Sequence, residues 1–557
     1  MATISQALAI AIQHHQAGRL QAAEQIYRQI LAVEPKQADA WHLLGVIANQ
    51  VGKHAIAVEY IQRAIESNRT EADFHNNLGT AYSALGKLPD AIACYRRALQ
   101  LKPDHADAHY NLGHAAKEQG NLDEAAASYR RALELKPANA VAQNNLGTVL
   151  DEQRKLDEAI ACYRRALELK PDYAEAHSNL GNALNEQGKP DEAVACCRRA
   201  LELKPDSVEA YNNLGNALKD QGELENAAAC WRRALELKPD HAAVHYNQSL
   251  VLLMKGDFEH GWPEYQWRWR TKAWHRFSQP LWDGPPLQGR TILLYAEHGL
   301  GDALQFVRYA ALVKQRGGNV VVECPRSLVS LLARCAGIDR WVERGDELPL
   351  FDVQSPLSSL PGVFHTTLRD IPANVPYLFA DPTFIEHWRA ELGPFAGLKV
   401  GIFWQGTTRN PARSIPLVCF ESLASVPGVQ FFSLQKGAGV EQLQDVAGRW
   451  PIVDLGSRLD DFMDTASVMS NLDLVITCDT AVAHLAGALG VAVWVALPIV
   501  PDWRWLLDRG DTPWYPTMRL FRQERRGDWQ VVFQRIKAAL GEQIARRAAS
   551  PIESGPA

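Results

Sequence analysis

A 34-residue period runs through roughly the first 240 residues and limits what they can fold into. Glycine, alanine and proline each recur at one phase of this period, as at Gly79, Gly113 and Gly147. Residue types that keep one register over seven units indicate a repeated structural unit rather than one globular core. Small residues at fixed places favour two closely packed helices, and a proline marks where the second helix ends. The pattern therefore predicts an all-α stack of helical hairpins.

No single hairpin can bury its apolar face, so neighbouring units must stack to form one continuous core. The period, the residue types and their order resemble the tetratricopeptide repeat. The resemblance implies a superhelix of seven units over residues 4–241, followed by a degenerate capping repeat at 242–276. The capping repeat differs from the earlier units in its aromatic segment GDFEHGWPEYQWRWR. An array of this kind predicts a protein-binding surface.

One asparagine column lies on the first helix of six units, a position that faces the concave side in tetratricopeptide folds. An amide both donates and accepts hydrogen bonds, so a ladder of amides would hold the backbone of an extended peptide with little regard to sequence. The alternative is that these asparagines only serve helix packing, because this residue is common at this position of the repeat. The column comprises Asn77, Asn111, Asn145, Asn179, Asn213 and Asn247.

Charge and composition argue against several classes of protein. The net charge of −6 disfavours a nucleic-acid binder that relies on bulk positive charge. The sequence lacks the long apolar run of a membrane span, and its N-terminus lacks the basic start and cleavage site of a signal peptide. The nine cysteines show no metal-ligand spacing and suit a reducing compartment. We therefore expect a cytoplasmic protein without an integral membrane span.

The pattern changes after a Pro/Gly-rich linker at 277–290. Apolar strands then alternate with helices, which predicts parallel α/β sheets. We expect two Rossmann-like lobes facing a cleft, over residues 291–381 and 382–547, and a disordered tail over 548–557. Ligands of such sheets sit beyond the carboxyl ends of the strands, and a cleft between lobes suits a ligand that both lobes share.

Residues 471–497 read as strand, turn, helix and strand. Asp479 and Thr480 fall in the turn, where the N–H groups and the dipole of the following helix would favour an anion. The stretch therefore predicts the phosphate-and-sugar end of an active site. Glycine loops follow the first strand of each lobe, with Gly299 and Gly301 in one and Gly406 in the other. Neither loop fits the GxGxxG dinucleotide fingerprint, so no nicotinamide enzyme is predicted.

HGLGDALQFVRY together with CDTAVAHLAGALG resembles the heptosyltransferase family, which is family 9 of the glycosyltransferases. The resemblance covers about Leu281–Leu540. It implies a GT-B fold, an acceptor-side first lobe, a nucleotide-sugar-side second lobe, and inverting transfer from a nucleoside-diphosphate sugar. The segments WDGPPLQGR and PDWRWLLDRGDTPWYPTMRLFRQ look like a bacterial branch in which this domain follows tetratricopeptide repeats. The plan is analogous to protein O-GlcNAc transferase, whose catalytic region is longer and whose motifs are not found here.

The resemblance also implies roles for individual residues. Asp302 matches the base that takes a proton from the acceptor hydroxyl, and the alternative is a helix-capping aspartate. Glu297 and His298 are backup candidates for the base. Asp479 and Thr480 match the donor site, with Thr480 holding diphosphate and Asp479 holding a hydroxyl of ribose or sugar.

His484 belongs to the same motif as Asp479, and would either touch phosphate or fill the core. Arg409 and Arg413 would clamp phosphate by charged hydrogen bonds, with a solvated loop as the alternative. Gln405 and Lys436 end strands that face the same cleft. Donor binding is thus predicted for Gly299, Gly301, Gln405, Gly406, Arg413, Lys436, Asp479, Thr480 and His484.

The remaining candidates are aromatic or acidic. Four aromatic side chains would either stack on sugar or base, or pack between lobe and array; they are Trp503, Trp505, Trp514 and Tyr515. The acidic pair at 460–461 lacks a DxD pattern, so we expect no metal and no cofactor, with a helix N-terminus and basic side chains stabilising the diphosphate.

The predicted partners are a nucleotide sugar and a protein or peptide acceptor in the repeat groove, with no nucleic acid. Two alternatives stay open. One is transfer to a glycan or a lipid-linked sugar, with the array docking the enzyme to an assembly. The other is an interaction scaffold without catalysis.

Overall fold

The computed structural model describes residues 3–271, 277–297, 299–395, 397–406 and 413–549. These residues form two compact units, Met1–Leu218 and Lys219–Ala557. The first unit is helical, and the second contains two parallel β-sheets with their helices. In the described residues, no helix is both long enough and apolar enough to span a bilayer.

The first unit consists of helical hairpins in which a 13-residue helix alternates with a 14-residue helix from α1 to α12. Glycines with positive φ, such as Gly52 and Gly86, end the first helix of a hairpin and let the chain reverse. The helices are α1 Ile4–Gln16, α2 Leu20–Val33, α3 Ala38–Gln50, α4 His54–Ser67, α5 Ala72–Ala84, α6 Leu88–Leu101, α7 Ala106–Glu118, α8 Leu122–Leu135, α9 Ala140–Glu152, α10 Leu156–Leu169, α11 Ala174–Glu186, α12 Pro190–Leu203 and α13 Val208–Gln221.

The invariant small residues of the period allow the two helices of a hairpin to approach. A Cβ placed on Gly79 would lie 2.6 Å from Cε1 of Tyr95, which is buried on the facing helix. Tyr95 also joins Leu112 and Ala115 of the next hairpin in one apolar cluster. Stacked hairpins thus share their core, as the period predicts. The tetratricopeptide superhelix expected from the sequence is therefore present.

The second unit begins with four more helices, α14 Leu224–Leu237, α15 Ala242–Met254, α16 Phe258–Tyr265 and α17 Arg268–Thr271. The first sheet has four parallel strands in the order β3-β2-β1-β4. Its strands are β1 Thr291–Tyr295, β2 Asn319–Cys324, β3 Arg340–Glu343 and β4 Val353–Pro356. Its helices are α18 Leu300–Phe306, α19 Ala310–Lys314, α20 Arg326–Leu332 and α21 Leu360–Val363.

The helix that the sequence predicts over about 302–316 is interrupted. A 3-10 turn at Val307–Tyr309 separates α18 from α19. Arg308 Nε donates to the carbonyl of Gln305 at 2.9 Å, and a continuous α-helix would offer that carbonyl to the N–H of Tyr309. The competing side-chain bond gives a physical reason for the break.

The second sheet has six parallel strands in the order β10-β9-β8-β5-β6-β7. Counted from β5, this is the doubly wound order, whose switch point lies between β5 and β8. The strands are β5 Leu398–Phe403, β6 Val429–Ser433, β7 Ile452–Asp454, β8 Leu474–Cys478, β9 Val493–Leu497 and β10 Met518–Arg522. The helices are α22 Pro382–Leu392, α23 Leu443–Val446, α24 Phe462–Met469, α25 Ala481–Ala488 and α26 Trp529–Ala549.

The strand, turn, helix and strand expected over 471–497 are β8, the turn at Asp479, α25 and β9. Helix α26 runs to Ala549, beyond its expected end near Leu540. The rest of the tail expected to be disordered, residues 550–557, lies outside the described residues. The second half of the chain therefore has the parallel α/β character that its alternating pattern predicts.

One apolar core joins the last hairpin, α15 and α16, to the sheets of the second unit. Trp262 on α16 is buried, its Nε1 donates to Thr366 O at 2.8 Å, and its ring meets Trp503 edge to face at 5.4 Å. Phe258 packs against Trp514 at 6.1 Å. The aromatic sequence of this hairpin therefore supplies a face that is buried against α/β structure.

Candidate functional site

Two sequence motifs from different sheets meet where α18 packs against α25. A Cβ placed on Gly301 of α18 would lie 2.8 Å from Cδ2 of His484 and 3.4 Å from the Cα of Ala481. Only glycine allows the two helices to approach so closely. The glycine loop after β1 and the turn after β8 therefore border one site.

Asp302 occupies the first turn of α18 and makes two contacts. Its Oδ2 accepts the N–H of Gly299 at 3.0 Å, and its Oδ1 pairs with Arg504. The side chain is 23% exposed. Asp302 therefore caps the helix, as the alternative interpretation proposes, and it also presents a charged oxygen to the site.

Five side chains of alternating charge form a continuous chain of ion pairs, which we call the charge chain: Asp302, Arg504, Asp502, Arg413 and Asp479. Arg504 Nη1 lies 2.8 Å from Asp502 Oδ1, and Arg413 Nη2 lies 2.6 Å from Asp502 Oδ2. Arg413 Nε is 3.4 Å from Asp479 Oδ2. The chain thus connects the predicted base to the predicted donor site.

Two acids of the charge chain, Asp502 and Asp479, differ in the direction of their pKa shifts. Burial alone would raise the pKa of Asp502, but the charges of Arg504 and Arg413 hold it far below its usual range. Burial raises the pKa of Asp479, and the nearby charge of Asp502 adds to this effect, while Arg413 opposes it. Asp502 is therefore the firmly ionised acid, and Asp479 binds a proton more readily.

Asp479 also carries a buried oxygen without a hydrogen-bond donor. The residue is 4% exposed, and its Oδ2 has no hydrogen-bond partner among the residues that the structure describes. Its described cationic neighbour is Arg413, whose Nε lies 3.4 Å away in an ion pair without the geometry of a hydrogen bond. A hydroxyl or N–H group of a ligand at the end of β8 would donate the hydrogen bond that this oxygen lacks.

Thr480 is the N-cap residue of α25, but its side chain makes no capping bond to that helix. Its Oγ1 lies 3.4 Å from Thr477 Oγ1. A Cβ on Gly406 would lie 3.2 Å from Thr480 Cγ2, so the loop after β5 closely approaches the start of α25. Because β5 and β8 flank the switch point of the sheet, this is the crevice in which doubly wound sheets bind ligands.

His484 is buried, and its described contacts are with protein. Its Nδ1 lies 3.0 Å from Tyr515 Oη, and its ring stacks on Trp505 at 5.1 Å. Burial lowers the pKa of His484 well below its usual value, and the charge of Arg504 acts in the same direction. The ring is therefore neutral and firmly packed, and contact with phosphate stays a prediction.

Glu297 lies at the end of β1 in a buried, bidentate ion pair. Arg268 of α17 donates to its two carboxylate oxygens at 2.8 and 3.1 Å, and also bonds Ser359 Oγ at 2.5 Å. This pairing ties the carboxylate to the capping segment and makes it less available as a base. The other backup candidate, His298, lies outside the described residues, as does Arg409.

Two further donor-site candidates bond to the protein itself. Gln405 Oε1 accepts from Gln442 Nε2 at 2.7 Å. Lys436 Nζ donates to the carbonyls of Leu459 and Asp460, at 2.5 and 2.7 Å. Both side chains stabilise loops at the carboxyl edge of the second sheet.

The aromatic candidates of the second unit are core residues. Each is no more than 2% exposed; they are Trp503, Trp505, Trp514 and Tyr515. Trp503 stacks on Phe306 at 6.4 Å, so it joins α18 to the hairpin of α15 and α16. Packing, rather than stacking on a sugar or base, accounts for these contacts.

Sequence reasoning missed two adjacent members of the charge chain, Asp502 and Arg504. The signal that would have found them is the alternation of charged and aromatic residues in PDWRW. An arginine between two buried tryptophans, and an acid directly before them, must themselves be largely buried, and buried charges need partners. In the described residues, no group of His, Cys, Asp and Glu is arranged to hold a metal ion.

In the first unit, the asparagine column forms hydrogen bonds between hairpins. Five of its amide nitrogens donate to the side chain 35 positions earlier. The bonds join Asn77 to His42, Asn111 to Asn76, Asn145 to Tyr110, Asn179 to Asn144 and Asn213 to Ser178, at 2.7, 2.9, 3.1, 3.0 and 3.1 Å. Asn247 lies half-buried on α15. The column therefore serves contact between hairpins, and peptide holding stays a prediction.

Comparison with known proteins identifies the helical part. Family models described as tetratricopeptide repeat match residues 8–73, 76–140, 144–208 and 208–241. Protein FlbA of Caulobacter vibrioides is 28% identical over 324 residues, which cover 51% of this chain and 52% of that protein. The chain thus spans about half the length of this curated relative.

Two solved structures are similar in sequence to part of the chain. YrrB, described as a TPR protein with an unusual peptide-binding site, is 28% identical with a TM-score of 0.31, covering 35% of this chain and 100% of YrrB. TTC0263, a TPR protein of Thermus thermophilus, is 24% identical with a TM-score of 0.29, covering 33% of this chain and 99% of that protein. The chain is therefore a tetratricopeptide-repeat protein over its first 240 residues or so, with the protein-interaction surface that such repeats provide.

Proposed function

We propose that the second unit is an inverting, GT-B-type glycosyltransferase of the heptosyltransferase kind, and that it transfers a sugar from a nucleoside-diphosphate sugar to a protein recruited by the repeats. The charge chain carries this proposal. It sets two guanidinium groups, and one carboxylate oxygen that accepts no described hydrogen bond, beside the start of α25, at the switch point of a doubly wound sheet. Guanidinium groups and a helix start are the groups that stabilise a departing diphosphate without a metal.

The proposed roles follow from the contacts. Arg413, Thr480 and the first N–H groups of α25 hold the diphosphate of the donor. Asp479 receives a hydroxyl of the ribose or of the sugar at its unsatisfied Oδ2. Asp302, across the site on α18, takes the proton of the acceptor hydroxyl as that oxygen attacks the sugar. No cofactor is required, because the nucleotide sugar is itself a substrate.

The array would bring the acceptor. Its inter-hairpin asparagine bonds keep a regular spacing of amide groups along the first helices, and a peptide backbone repeats its own donors and acceptors in the same way. A cytoplasmic location fits the nine cysteines, which form no disulfide among the described residues.

The direct test is a transfer assay. The full-length protein is incubated with a panel of nucleotide sugars and a lysate, and protein masses are recorded before and after. We expect a sugar-sized mass increment from one donor, and a 10²–10⁴-fold lower rate for Asp302→Asn, the range typical of a lost general base. Asparagine can still accept the N–H of Gly299, so α18 keeps its cap.

The matched control is Asp346→Asn, which removes an acid from an exposed loop and should leave the rate unchanged. A surface-glycan product with unmodified proteins would move the proposal to a glycan or lipid-linked acceptor. Neither transfer nor donor hydrolysis across the whole panel would rule against a transferase.

One observation favours a second candidate, a scaffold without catalysis. Every charged group of the charge chain already has a partner of opposite charge within the protein. Such a chain is stable without any ligand, as a purely structural network would be. If Asp302→Asn and Asp479→Asn both leave the cellular phenotype of the protein intact, the scaffold explains its role better than the transferase.

A further inference from the structure

Asp502 bridges the two arginines of the charge chain with separate oxygens. Its Oδ1 accepts from Arg504 Nη1 at 2.8 Å, and its Oδ2 accepts from Arg413 Nη2 at 2.6 Å. Two oxygens of one phosphate group would bind two guanidinium groups in the same manner. The carboxylate of Asp502 thus occupies the position that an anionic ligand needs.

We propose that Asp502 is a specificity-determining residue: its carboxylate stands in for a ligand phosphate between Arg413 and Arg504, and a diphosphate displaces it far more readily than a single phosphate does. This inference rests on the proposed function, since it concerns the same donor site. Beyond that function, it explains why the site prefers a diphosphate, and it names Asp502 as the residue that enforces the preference.

The charge balance explains the preference. The charge chain holds three acids and two arginines, so a phosphate that approaches while Asp502 is in place meets a site with an excess of negative charge. A single phosphate replaces one carboxylate with one anionic group and gains little. A diphosphate can replace Asp502 with one phosphate and bind the start of α25 with the other, so its second group supplies the free energy of displacement.

Displacement requires little motion of the backbone. Trp503 and Trp505, on the C-terminal side of Asp502, are 2% and 0% exposed and anchor the 3-10 turn to the core. The Asp502 side chain is 11% exposed, so part of it already reaches solvent. The two arginines hold the pKa of Asp502 far below its usual range despite burial, so a change of pH does not release it and a competing anion must.

The test compares two anions on the full-length protein. Inorganic pyrophosphate and orthophosphate are titrated into wild type, Asp502→Asn and Asp508→Asn by calorimetry. We expect wild type to prefer pyrophosphate. In Asp502→Asn the affinity for orthophosphate should rise at least tenfold and the preference should shrink, because an amide competes weakly for two guanidinium groups. Asparagine can still accept the N–H of Arg504 and preserve the turn.

Two further variants sharpen the result. Asp508→Asn removes an acid from an exposed position of the same segment, and should keep the wild-type preference. Asp502→Glu restores a carboxylate and should restore the preference. An unchanged preference in Asp502→Asn, or weaker binding of orthophosphate, would overturn the inference while leaving the proposed function intact. If wild type binds no pyrophosphate at all, this inference fails, while the transfer assay decides the proposed function separately.

A measurement on wild type alone keeps the inference testable even if Asp502→Asn does not fold. The N–H of Arg504 donates to Asp502 Oδ1 at 3.1 Å, so displacement of the carboxylate breaks that bond. Saturating pyrophosphate should therefore speed hydrogen exchange at Arg504, although ligands usually slow exchange where they bind. Slower or unchanged exchange at this amide would contradict displacement.

Discussion

At the scale of single residues, the surroundings of a histidine decide whether its ring is charged, and His42 is an example. His42 is buried in the first unit, where Asn77 Nδ2 approaches its Nε2 at 2.7 Å and Phe74 lies 4.5 Å from its ring. It stands one position before the asparagine column, in the place that Asn76 and Asn144 occupy in later hairpins. An amide donor on Nε2 requires a neutral ring, which makes this hairpin contact sensitive to acid.

The pH dependence has a definite sign. Burial lowers the pKa of His42 to about 4, against opposing charges of Asp73 and Asp39 and with a small contribution from His15 in the same direction. The folded state therefore disfavours the proton. The stability that the neutral His42 ring gives the folded state is complete above about pH 6.5. As the pH falls from about 6.5 to about 4, the free energy of unfolding decreases by up to about 3 kcal/mol.

We predict that His42→Asn reduces this loss, because asparagine accepts the same hydrogen bond without titrating. The measurement is urea-dependent hydrogen exchange of peptides from α3 and α5 in the full-length protein, between pH 7 and pH 4. His114→Asn, which changes an exposed histidine of α7, serves as the control and should keep the wild-type dependence of stability on pH. An equal dependence of stability on pH in wild type and His42→Asn would show that His42 is not the source of the acid sensitivity.

At the scale of elements, the contact between α18 and α25 depends on Gly301. The ring of His484 is held by Trp505 and Tyr515, so it cannot move away from an added methyl group. Helix propensity alone would favour alanine over glycine by about 1 kcal/mol, so the contact must outweigh that gain.

We predict opposite outcomes for two glycine-to-alanine changes in helices of the second unit. Gly301→Ala should destabilise by about 1–3 kcal/mol, because its Cβ would lie 2.8 Å from His484 Cδ2. Gly541→Ala, in α26, meets nothing within 4 Å and should stabilise by about 0.5–1 kcal/mol. Urea unfolding of both variants, followed by hydrogen exchange in peptides from α25 and α26, measures the sign of each stability change. Two changes of the same sign would contradict the role assigned to the contact between Gly301 and His484.

Elements were largely predictable from the sequence, and the reason is local. The 34-residue period places the helices of the first unit, and short apolar runs such as 291–295 and 474–478 become β1 and β8. Each of these signals is contained in a few neighbouring residues. The break between α18 and α19 was not predicted, since it follows from one side-chain bond of Arg308.

The candidate site was predicted in part. Asp302, Asp479 and Thr480 were found because two motifs resemble a known family. Asp502 and Arg504 were missed because their partners Arg413 and Asp302 come from two distant stretches of chain, and no local pattern shows which charges will meet. Glu297 was expected near the reacting groups, but its pairing with Arg268 depends on how α17 folds back onto β1.

At the scale of the whole molecule, α16 ties the second unit together. Trp262 is buried and bonds Thr366, and its ring touches Trp503 of the segment that carries Asp502. Loss of this ring therefore affects both core packing and the position of the charge chain.

We predict that Trp262→Ala destabilises the second unit by about 3–5 kcal/mol, the usual cost of removing a large buried ring. Trp267→Ala is the matched control, since that ring lies half-buried in the same segment and stacks on His245 at 3.9 Å. The control should lose markedly less stability. Urea unfolding followed by hydrogen exchange in peptides from β1 and β8 measures the stability of both variants. Equal losses would show that the Trp262 ring contributes no more to stability than the half-buried Trp267 ring.

The last hairpin also decides where the chain can be recombined. Hairpins such as α5–α6 and α7–α8 have the same lengths, so whole 34-residue modules can be deleted or duplicated among them. The pair α15 and α16 cannot be exchanged in this way, because its inner face is part of the α/β core. A chimera that transplants the second unit must therefore carry its own final hairpin and start before Ala242, whichever array precedes it.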